Sequence, residues 1–580
     1  MSQDGHAVKF SRVGSYITFD DGRGPPIVSL YTMPGKCLVC ILSIKSADNV
    51  TGSQLPYLKS IQFGFPRIPD PGSSAHIKVL TEWINSCDKT HKCYSKNLAF
   101  FPTRIIEISK TNSETVRVLY DTTTLDSTHK YFALSHRWGQ PGKYRKFCTN
   151  TVDVIGRKER TIKIIDLPRT FRDAVTVTRN LGVPYLWIDS ICIVQDDKDD
   201  WSREAKLMEQ VFSSAYCTIA ATCASGTDDG FLKPLPERQI VIVKEPENGA
   251  FYYLCDAIDD FHQHVDQSEL NRRAWVLQER ALSRRTIHFA DSQTYWECGK
   301  GVRCETLTKM SKYVRQFSDS LRHCQHELGA NQTSPFSPKA SFLGDSHFPH
   351  STDEFVKGKK IKLFQDLYER YSNMDLTRSE DRPVAIKGLE ARLVQAFGGE
   401  GRYGVFSKYL HRCLLWRRSG APLEPIKVFP DGPIPSWSWM TVKGGIKFID
   451  APGSGIDWQP DVTWPLLNGK VDDMDASWED LSNHRDTMAL HLNAPVKSLV
   501  KPRREDIILD DGSTMIPQLT KCVVIGKSKR PAKDEDRTCY ALIVRLFDVH
   551  DTDVWKRIGV GVMRGRHIAL DEPTALACIQ

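Results

Sequence analysis

Residues 185–224 read YLWIDSICIVQDDKDDWSREAKLMEQVFSSAYCTIAATCA, and this segment decides the fold because two apolar runs flank one amphipathic stretch. The first run, YLWIDSICIV, is typical of a strand that is buried on both faces of a parallel sheet. The stretch between the runs repeats its apolar residues at helical spacing, with Asp199 or Asp200 as a natural N-cap. The segment therefore predicts a strand, a helix and a second strand, AYCTIAATCA.

The predicted helix carries one acid on its apolar face. A step of about 100° per residue from Trp201 places on one arc the apolar residues Ala205, Leu207, Met208, Val211 and Phe212. Glu204 falls within this arc, whereas Glu209 falls among polar residues outside it. A carboxylate on a buried face must be paired, protonated or open to a cleft, because an unpaired buried charge is costly. The segment alone favours a Glu204 side chain that reaches water or pairs with an arginine.

The preceding sequence extends this alternation of strands and helices. YFALS at 131–135 predicts a strand, and the helix that follows it has Pro168 in its first turn and Gly182 after its end. This order predicts an open α/β sheet with helices on both faces, in which ligands bind at the carboxyl ends of the strands. Residues 135–139, residues 189–190 and the start of the Glu204 helix are expected at that edge.

The composition limits the class of protein. A length of 580 residues exceeds what one hydrophobic core supports, so two or three domains are expected. A net charge of +7 is small for this length, and it gives no argument for a nucleic-acid or membrane surface. The sequence contains no apolar run of membrane-spanning length and no signal peptide, so we predict a cytoplasmic location with reduced cysteines.

Metal and nucleotide motifs give little support for a cofactor. Cys87, His91 and Cys93 superficially suggest zinc, but their order matches no common structural site and no fourth ligand lies at a usual spacing. We therefore expect no metal. The sequence has no glycine-rich loop of the dinucleotide-binding or P-loop kind.

Three blocks of the sequence resemble, in order and spacing, the HET (heterokaryon incompatibility) domain of filamentous fungi. They are YFALSHRWG at 131–139, the block from LPRTFRDAV at 167 to CTIAA at 221, and RRAWVLQERALSRRTIHF at 272–289. Flanking segments such as WINSCDKTHKC and PIPSWSWM extend the resemblance over roughly 80–445. The resemblance implies a role in fungal self/non-self recognition, a form of innate immunity in which HET domains trigger programmed cell death.

The resemblance also implies distant kinship with TIR domains, which have a flavodoxin-like fold and several of which cleave NAD at the nicotinamide–ribose bond. In those enzymes a glutamate on the helix before the fourth strand is catalytic. The helix WSREAKLMEQVF precedes the strand YCTIAA, so Glu204 is the position to which this glutamate is carried over. The segment ALSHRWG looks like the first-strand signature of a TIR domain.

These arguments give a candidate site with one catalytic residue, Glu204. A carboxylate can stabilise the oxocarbenium-like ribosyl cation that remains when neutral nicotinamide departs. The candidate substrate-binding residues are Ser135, Arg137, Trp138, Gly139, Asp189 and Trp201.

Alternatives stay open for several of these side chains. Arg137 engages a pyrophosphate or pairs with an acid such as Asp189, and Trp138 is a wall of the site or part of the core. Asp189 binds substrate hydroxyls or caps a loop. In the third block, Glu279 and Arg280 are interpreted as a structural ion-pair network.

The sequence thus predicts an α/β fold with a TIR-like (flavodoxin-like) parallel-sheet core, helical additions and a β-rich C-terminal region. The predicted regions are an N-terminal extension with short strands and a helix (1–125), the HET domain (126–325), a mobile loop or insertion (326–360), a helical region completing the HET module (361–445) and the β-rich region (446–580).

The predicted function is a cell-death effector that hydrolyses NAD or NADP as its substrate and has no cofactor. The alternative is a non-catalytic HET adaptor that acts by protein–protein assembly, through self-association or a partner receptor. Nucleic acid and membrane are not expected as partners.

Overall fold

The computed structural model describes residues 68–306, 357–463 and 492–579, and four strands between residues 9 and 42. Short gaps fall at 92, 94–99, 110–113, 126–128, 141, 144–146, 239, 245–250, 256–257, 259, 300, 430–431, 532, 549–550 and 573–575. Most of the N-terminal extension up to residue 67, and the predicted loop up to residue 356, lie outside the described residues.

The chain divides into two compact units. The first unit comprises Met1–Trp201, Gln210–Asn271 and Ser283–Leu343, and the second comprises Ser202–Glu209, Arg272–Leu282 and Gly344–Gln580.

The described α-helices come from both units. They are α1 (Ser74–Ser86), α2 (Thr151–Val154), α3 (Arg169–Asn180), α4 (Asp189–Cys192), α5 (Lys198–Ser214), α6 (Ala274–Leu282), α7 (Lys357–Ser372), α8 (Lys387–Phe397) and α9 (Leu410–Leu414). None of them combines the length and the apolar character that a membrane span requires.

The described strands of the first unit are β1 (Lys9–Val13), β2 (Tyr16–Asp20), β3 (Val28–Tyr31), β4 (Val39–Leu42), β5 (Ile105–Glu107), β6 (Thr115–Leu119), β7 (Tyr131–Ser135), β8 (Glu159–Lys163), β9 (Tyr185–Trp187), β10 (Cys217–Ala220), β11 (Ile240–Lys244), β12 (Phe251–Cys255), β13 (Arg285–Phe289), β14 (Thr294–Cys298) and β15 (Gly301–Cys304). Nine of them form one mixed sheet in the order β15-β14-β13-β10-β7-β9-β5-β6-β8.

The centre of this sheet is parallel, as the sequence predicts. β10 pairs in parallel with β7 and β13, and β7 pairs in parallel with β9. Numbered by their appearance in the chain, these four strands lie in the order 2-1-3-4. Every residue of the four strands is buried, which explains their nearly continuous apolar sequence. The flanking strands on both sides pair antiparallel.

The strand predicted over YLWIDSICIV is shorter in the structure. It ends at Trp187, and Asp189 begins the short helix α4. The Asp189 carboxylate accepts a hydrogen bond from the backbone N–H of Ser190 at 2.6 Å, which turns the chain out of the sheet. An apolar run alone does not distinguish a strand from a buried helical turn.

The N-cap of α5 also differs from the prediction. The cap is Asp197, whose side chain accepts from the backbone N–H groups of Asp199 and Asp200 at 2.9 and 3.2 Å. Asp200 itself is 2% exposed, and its carboxylate forms a two-pronged ion pair with Arg104. The same carboxylate accepts from the backbone N–H of Val194 at 2.9 Å.

The apolar face of α5 is confirmed by burial, since Ala205, Met208, Val211 and Phe212 are all buried. Glu204 is 3% exposed. Glu209, which the helical spacing places among polar residues, is half-buried, and its carboxylate pairs with Arg392 of α8, with Nε and Oε1 2.8 Å apart.

The second unit contains the predicted β-rich C-terminal region. Its described strands are β16 (Gly401–Arg402), β17 (Val405–Phe406), β18 (Trp416–Arg418), β19 (Glu424–Pro425), β20 (Val442–Lys443), β21 (Ile446–Phe448), β22 (Ile456–Trp458), β23 (Leu492–Ser498), β24 (Ile507–Leu509), β25 (Thr520–Ser528), β26 (Thr538–Asp548), β27 (Asp551–Arg564) and β28 (Leu576–Ile579). β25, β23, β28, β27 and β26 pair in sequence, and β26 returns to β25, so these five strands close a ring.

A buried carboxyl group lies in the helical part of the second unit. Glu390 of α8 accepts from the backbone N–H of Gly404, and the hydroxyl of Tyr368 lies 3.5 Å from its Oε1. Burial raises the pKa of Glu390 to about 7.

The ion pair of Asp200 with Arg104 predicts a large cost of truncation. We expect Asp200→Ala to lower the free energy of unfolding by about 3–5 kcal/mol, because it leaves a buried guanidinium without its carboxylate. Asp199 is exposed in the same helical turn, so Asp199→Ala is the matched control and changes stability by only about 0.5 kcal/mol. Urea denaturation followed by circular dichroism measures both values, and equal effects of the two substitutions would contradict the prediction.

The raised pKa of Glu390 predicts a pH-dependent stability. An unfolded glutamate has a pKa of about 4.3, so the folded state holds this proton more tightly. Its contribution to stability is therefore lost as the pH rises from about 4.5 to about 7. We expect Glu390→Gln to gain on the order of 3 kcal/mol over wild type across that interval.

Urea titrations of Glu390→Gln and wild type at stepped pH values test this expectation. Glu400→Gln, at an exposed position beyond the end of the same helix, is the control. A difference between Glu390→Gln and wild type that stays constant from pH 4.5 to 7.5 would rule out the proposed linkage.

Candidate functional site

The carboxyl ends of the parallel strands in the first unit place several predicted residues side by side. Ala133 of β7 is opposite Trp187 of β9, and Ser135 of β7 is opposite Ala220 of β10. The segments that leave β7 and β9 therefore begin at the same sheet edge. For residues 135–139 and 189–190, this arrangement is the one predicted from the strand–helix alternation.

Asp189 organises this edge. Its Oδ2 accepts a hydrogen bond from the indole Nε1 of Trp138 at 2.9 Å, and its Oδ1 lies 3.7 Å from Nδ1 of His136. The Asp189 side chain is 27% exposed, so water reaches one side of the group. Asp189 thus fixes the orientation of the Trp138 ring and keeps part of its carboxylate accessible.

The residues between β7 and Trp138 differ in exposure. Ser135 and His136 are both buried, and the ring of His136 packs edge-on against Phe171 with ring centroids 5.0 Å apart. Sequence reasoning did not single out His136. The sequence feature that points to His136 is its position directly after Ser135, where the strand ends and a titratable ring lies next to the candidate site.

Arg137 pairs with Glu269 and not with Asp189. Its side chain is half-buried at the border of the edge, while Glu269 is largely exposed. Gly139 has a φ of +87°, a left-handed conformation that glycine adopts without steric cost. The chain therefore turns away from the sheet directly after Trp138.

A second segment holds the loop after β9 in place. Thr149 donates its backbone N–H to the carbonyl of Ser190 at 2.9 Å, and its hydroxyl donates to the carbonyl of Ile191 at 2.7 Å. The carbonyl of Thr149 accepts from the backbone N–H of Gln195 at 2.9 Å. These bonds give the loop that follows β9 a fixed backbone, so Asp189 lies on a rigid element.

The helix α5 carries the remaining predicted site residues. Trp201, in the first turn, is half-buried. Glu204 belongs to the second unit, where it is one of two nearly buried carboxylates on segments 202–209 and 272–282. The other is Glu279 of α6, which is 7% exposed.

Helix α6 is tied to other elements of the second unit. Gln278 accepts with its Oε1 from the backbone N–H groups of Gly388 and Leu389, at 3.0 and 3.3 Å. It thereby caps α8, whose first-turn N–H groups have no partner within the helix. Trp275 donates to Asp381, and burial raises the pKa of Asp381 to about 6.

Comparison with known proteins identifies the segment that carries these groups. Residues 131–279 match the family model described as "Heterokaryon incompatibility protein (HET)". The match covers about a quarter of the chain, from the first residue of β7 to Glu279 in α6. No curated protein and no solved structure matches the chain. The strand-end edge and both buried glutamates lie within the matched residues, so this part of the chain carries the HET domain.

Proposed function

We propose that this chain is a fungal heterokaryon-incompatibility-type cell-death effector that cleaves NAD or NADP at the nicotinamide–ribose bond. The HET domain supports the role in incompatibility. The strand order 2-1-3-4 supports the TIR-like part of the proposal, because flavodoxin-like sheets have this order in their first four strands. In such sheets a nucleotide binds at the carboxyl ends, next to the point where the strand order reverses.

The proposed reaction needs one carboxylate and water. The bond from the ribose C1′ to the pyridinium nitrogen breaks, and its electron pair stays on nitrogen, so neutral nicotinamide leaves without a general acid. The carboxylate stabilises the positive charge that develops on the ribose. Water then bonds to C1′ and releases a proton, which gives ADP-ribose or its 2′-phosphate.

Glu204 is the carboxylate that the sequence pattern supports. It occupies the apolar face of α5 and is almost fully buried. A carboxylate in such a place of low dielectric constant attracts a nearby positive charge more strongly than one in water does. Low exposure also excludes water, which would otherwise weaken the interaction with a developing cation.

The strand count supports a second carboxylate, Glu279. Helix α5 precedes β10, the third parallel strand in chain order, whereas α6 precedes β13, the fourth. The catalytic glutamate of NAD-cleaving TIR domains lies before the fourth strand, so this rule favours Glu279. We propose Glu204 as the catalytic residue because it is buried on the apolar face of α5, and Glu279, which the strand count favours, as the alternative.

The strand-end edge is proposed to bind the substrate. Trp138, held by Asp189, offers a ring face, and Trp201 offers a second. Arg137 exchanges its ion pair with Glu269 for the pyrophosphate, which accepts two hydrogen bonds from a guanidinium. Ser135 and the turn at Gly139 complete the proposed substrate-binding set.

Nicotinamide release from NAD, measured with the purified full-length chain over a range of protein concentrations, tests the enzyme. We expect Glu204→Gln to reduce kcat by roughly 10²–10³-fold, because the amide keeps the shape and removes the charge that stabilises the cation. NADP in place of NAD measures which dinucleotide is preferred.

Two further variants make this test specific. Glu279→Gln decides between the carboxylates, since a large loss there with an active Glu204→Gln assigns catalysis to Glu279. Asp199→Asn removes one exposed charge from the same helix as Glu204 and is the control; Glu209 is unsuitable because it is paired with Arg392. Full activity in both glutamine variants would refute a carboxylate mechanism at α5 or α6.

The absence of nicotinamide release at every concentration would refute the enzyme and support the non-catalytic adaptor. Size-exclusion chromatography and pairwise co-precipitation would then identify self-association or a partner receptor.

A further inference from the structure

A cluster of three cysteines and one histidine lies in the first unit, outside the residues that match the HET family model. Its members are Cys87, His91, Cys93 and Cys298. One ligand atom from each, a thiol sulfur or an imidazole nitrogen, lies within 4.8 Å of the corresponding atom of every other member. The three cysteines are 1–3% exposed, and no disulfide joins them.

The spacing of these atoms fits a tetrahedral metal. Zinc binds sulfur at about 2.3 Å and imidazole nitrogen at about 2.0–2.1 Å, so two ligands of one tetrahedral ion lie about 3.6–3.8 Å apart. Nδ1 of His91 lies 3.4 Å from Sγ of Cys298. This pair is therefore within a few tenths of an ångström of the separation in a coordination sphere, and the other ligand atoms are within 4.8 Å of one another.

The first two ligands are positioned by a short π-helical turn, Cys87–His91, that continues from α1. Asp88 within this turn is held on two sides. Arg285 binds its Oδ1 through Nη1 at 2.6 Å, and the hydroxyl of Tyr216 donates to its Oδ2 at 2.7 Å.

The fourth ligand comes from the sheet. Cys298 is the last residue of β14, and its partner across the antiparallel pair is Arg285 of β13. The arginine that anchors the turn is thus the cross-strand neighbour of the cysteine that completes the cluster. The guanidinium of Arg285 holds the turn next to the end of β14. His91 and Cys298, which are 207 positions apart in the chain, are thereby brought together.

The charges also favour a metal at this place. Three thiolates and one neutral imidazole around Zn²⁺ carry a formal charge of −1. The Arg285 side chain is fully buried next to the turn, so a positive charge is already present beside the thiolates. The arrangement supplies four protein ligands and leaves no position for substrate or water, which is typical of a structural zinc site and not of a catalytic one.

We propose that Cys87, His91, Cys93 and Cys298 bind one zinc ion in a closed structural site. The ion ties the turn after α1 to the end of β14, and these two segments lie on either side of the HET domain in the sequence. The order Cys-x3-His-x-Cys lacked a fourth ligand at the sequence level, and Cys298 supplies it. The proposal is independent of NAD cleavage.

Metal analysis of the full-length chain, expressed with zinc and purified without chelator, tests the site. We expect about one zinc ion per chain by mass spectrometry of the metal, and a large loss of zinc in Cys298→Ser. Cys223→Ser changes a half-buried cysteine of the same unit outside the cluster and keeps the zinc. Wild-type protein without zinc would overturn the proposal, and so would unchanged zinc in Cys298→Ser.

Two additional measurements keep the test decisive if Cys298→Ser does not fold. Cobalt(II) exchanged into the wild-type chain should give thiolate-to-metal charge-transfer bands and the visible absorption of a tetrahedral ion. His91→Cys should retain zinc with four sulfur ligands. Cobalt without these bands, or a disulfide among Cys87, Cys93 and Cys298 in freshly purified protein, would show that the cluster is not a metal site.

Discussion

The parallel pairing of β9, β7, β10 and β13 is the constraint on which the first unit depends. Because these strands are buried on both faces, they need apolar side chains on both, and the chain must leave the sheet and return between them. Because the strands are parallel, the loop that follows each of them begins at the same edge of the sheet, the edge of their carboxyl ends. The groups gathered there, Trp138 on Asp189 and the turn at Gly139, are consequences of strand direction, and the rigid loop after β9 keeps them in position.

Two arginine–aspartate pairs connect helix α5 and strand β13 to segments that precede the HET domain in the sequence. Arg104 reaches Asp200 at the start of α5, and Arg285 of β13 reaches Asp88 in the turn after α1. The Arg104–Asp200 pair replaces hydration with hydrogen bonds inside the protein, so removing one partner costs far more than the pair contributes. In the other pair Arg285 is fully buried, whereas the Asp88 side chain is 32% exposed. In the second pair, Arg285 also aligns Cys298 with Cys87 and His91, which links an electrostatic anchor to a proposed zinc site.

The two glutamates of α5 show why helical periodicity gives only part of the answer. The period correctly placed Glu204 on the buried face. It placed Glu209 among polar residues, and the structure shows which partner that acid has, because Arg392 of α8 pairs with it. The predicted N-cap was Asp199 or Asp200, whereas the observed N-cap is Asp197. The carboxylate of Asp200 instead accepts a hydrogen bond from Arg104. Local spacing describes a helix alone, and these corrections come from partners far away in the chain.

The sequence by itself determined the parallel strands, the HET domain, the place of Glu204 on the apolar face of its helix and the β-rich C-terminal region, since each depends on local periodicity or on a contiguous motif. Only the tertiary structure decided the strand order 2-1-3-4, which brings Glu279 into consideration, and the approach of Cys298 to Cys87, His91 and Cys93. Strand order and ligand sets are long-range properties. They follow from which faces pack and which buried charges find partners, and neither is encoded in the spacing of neighbouring residues.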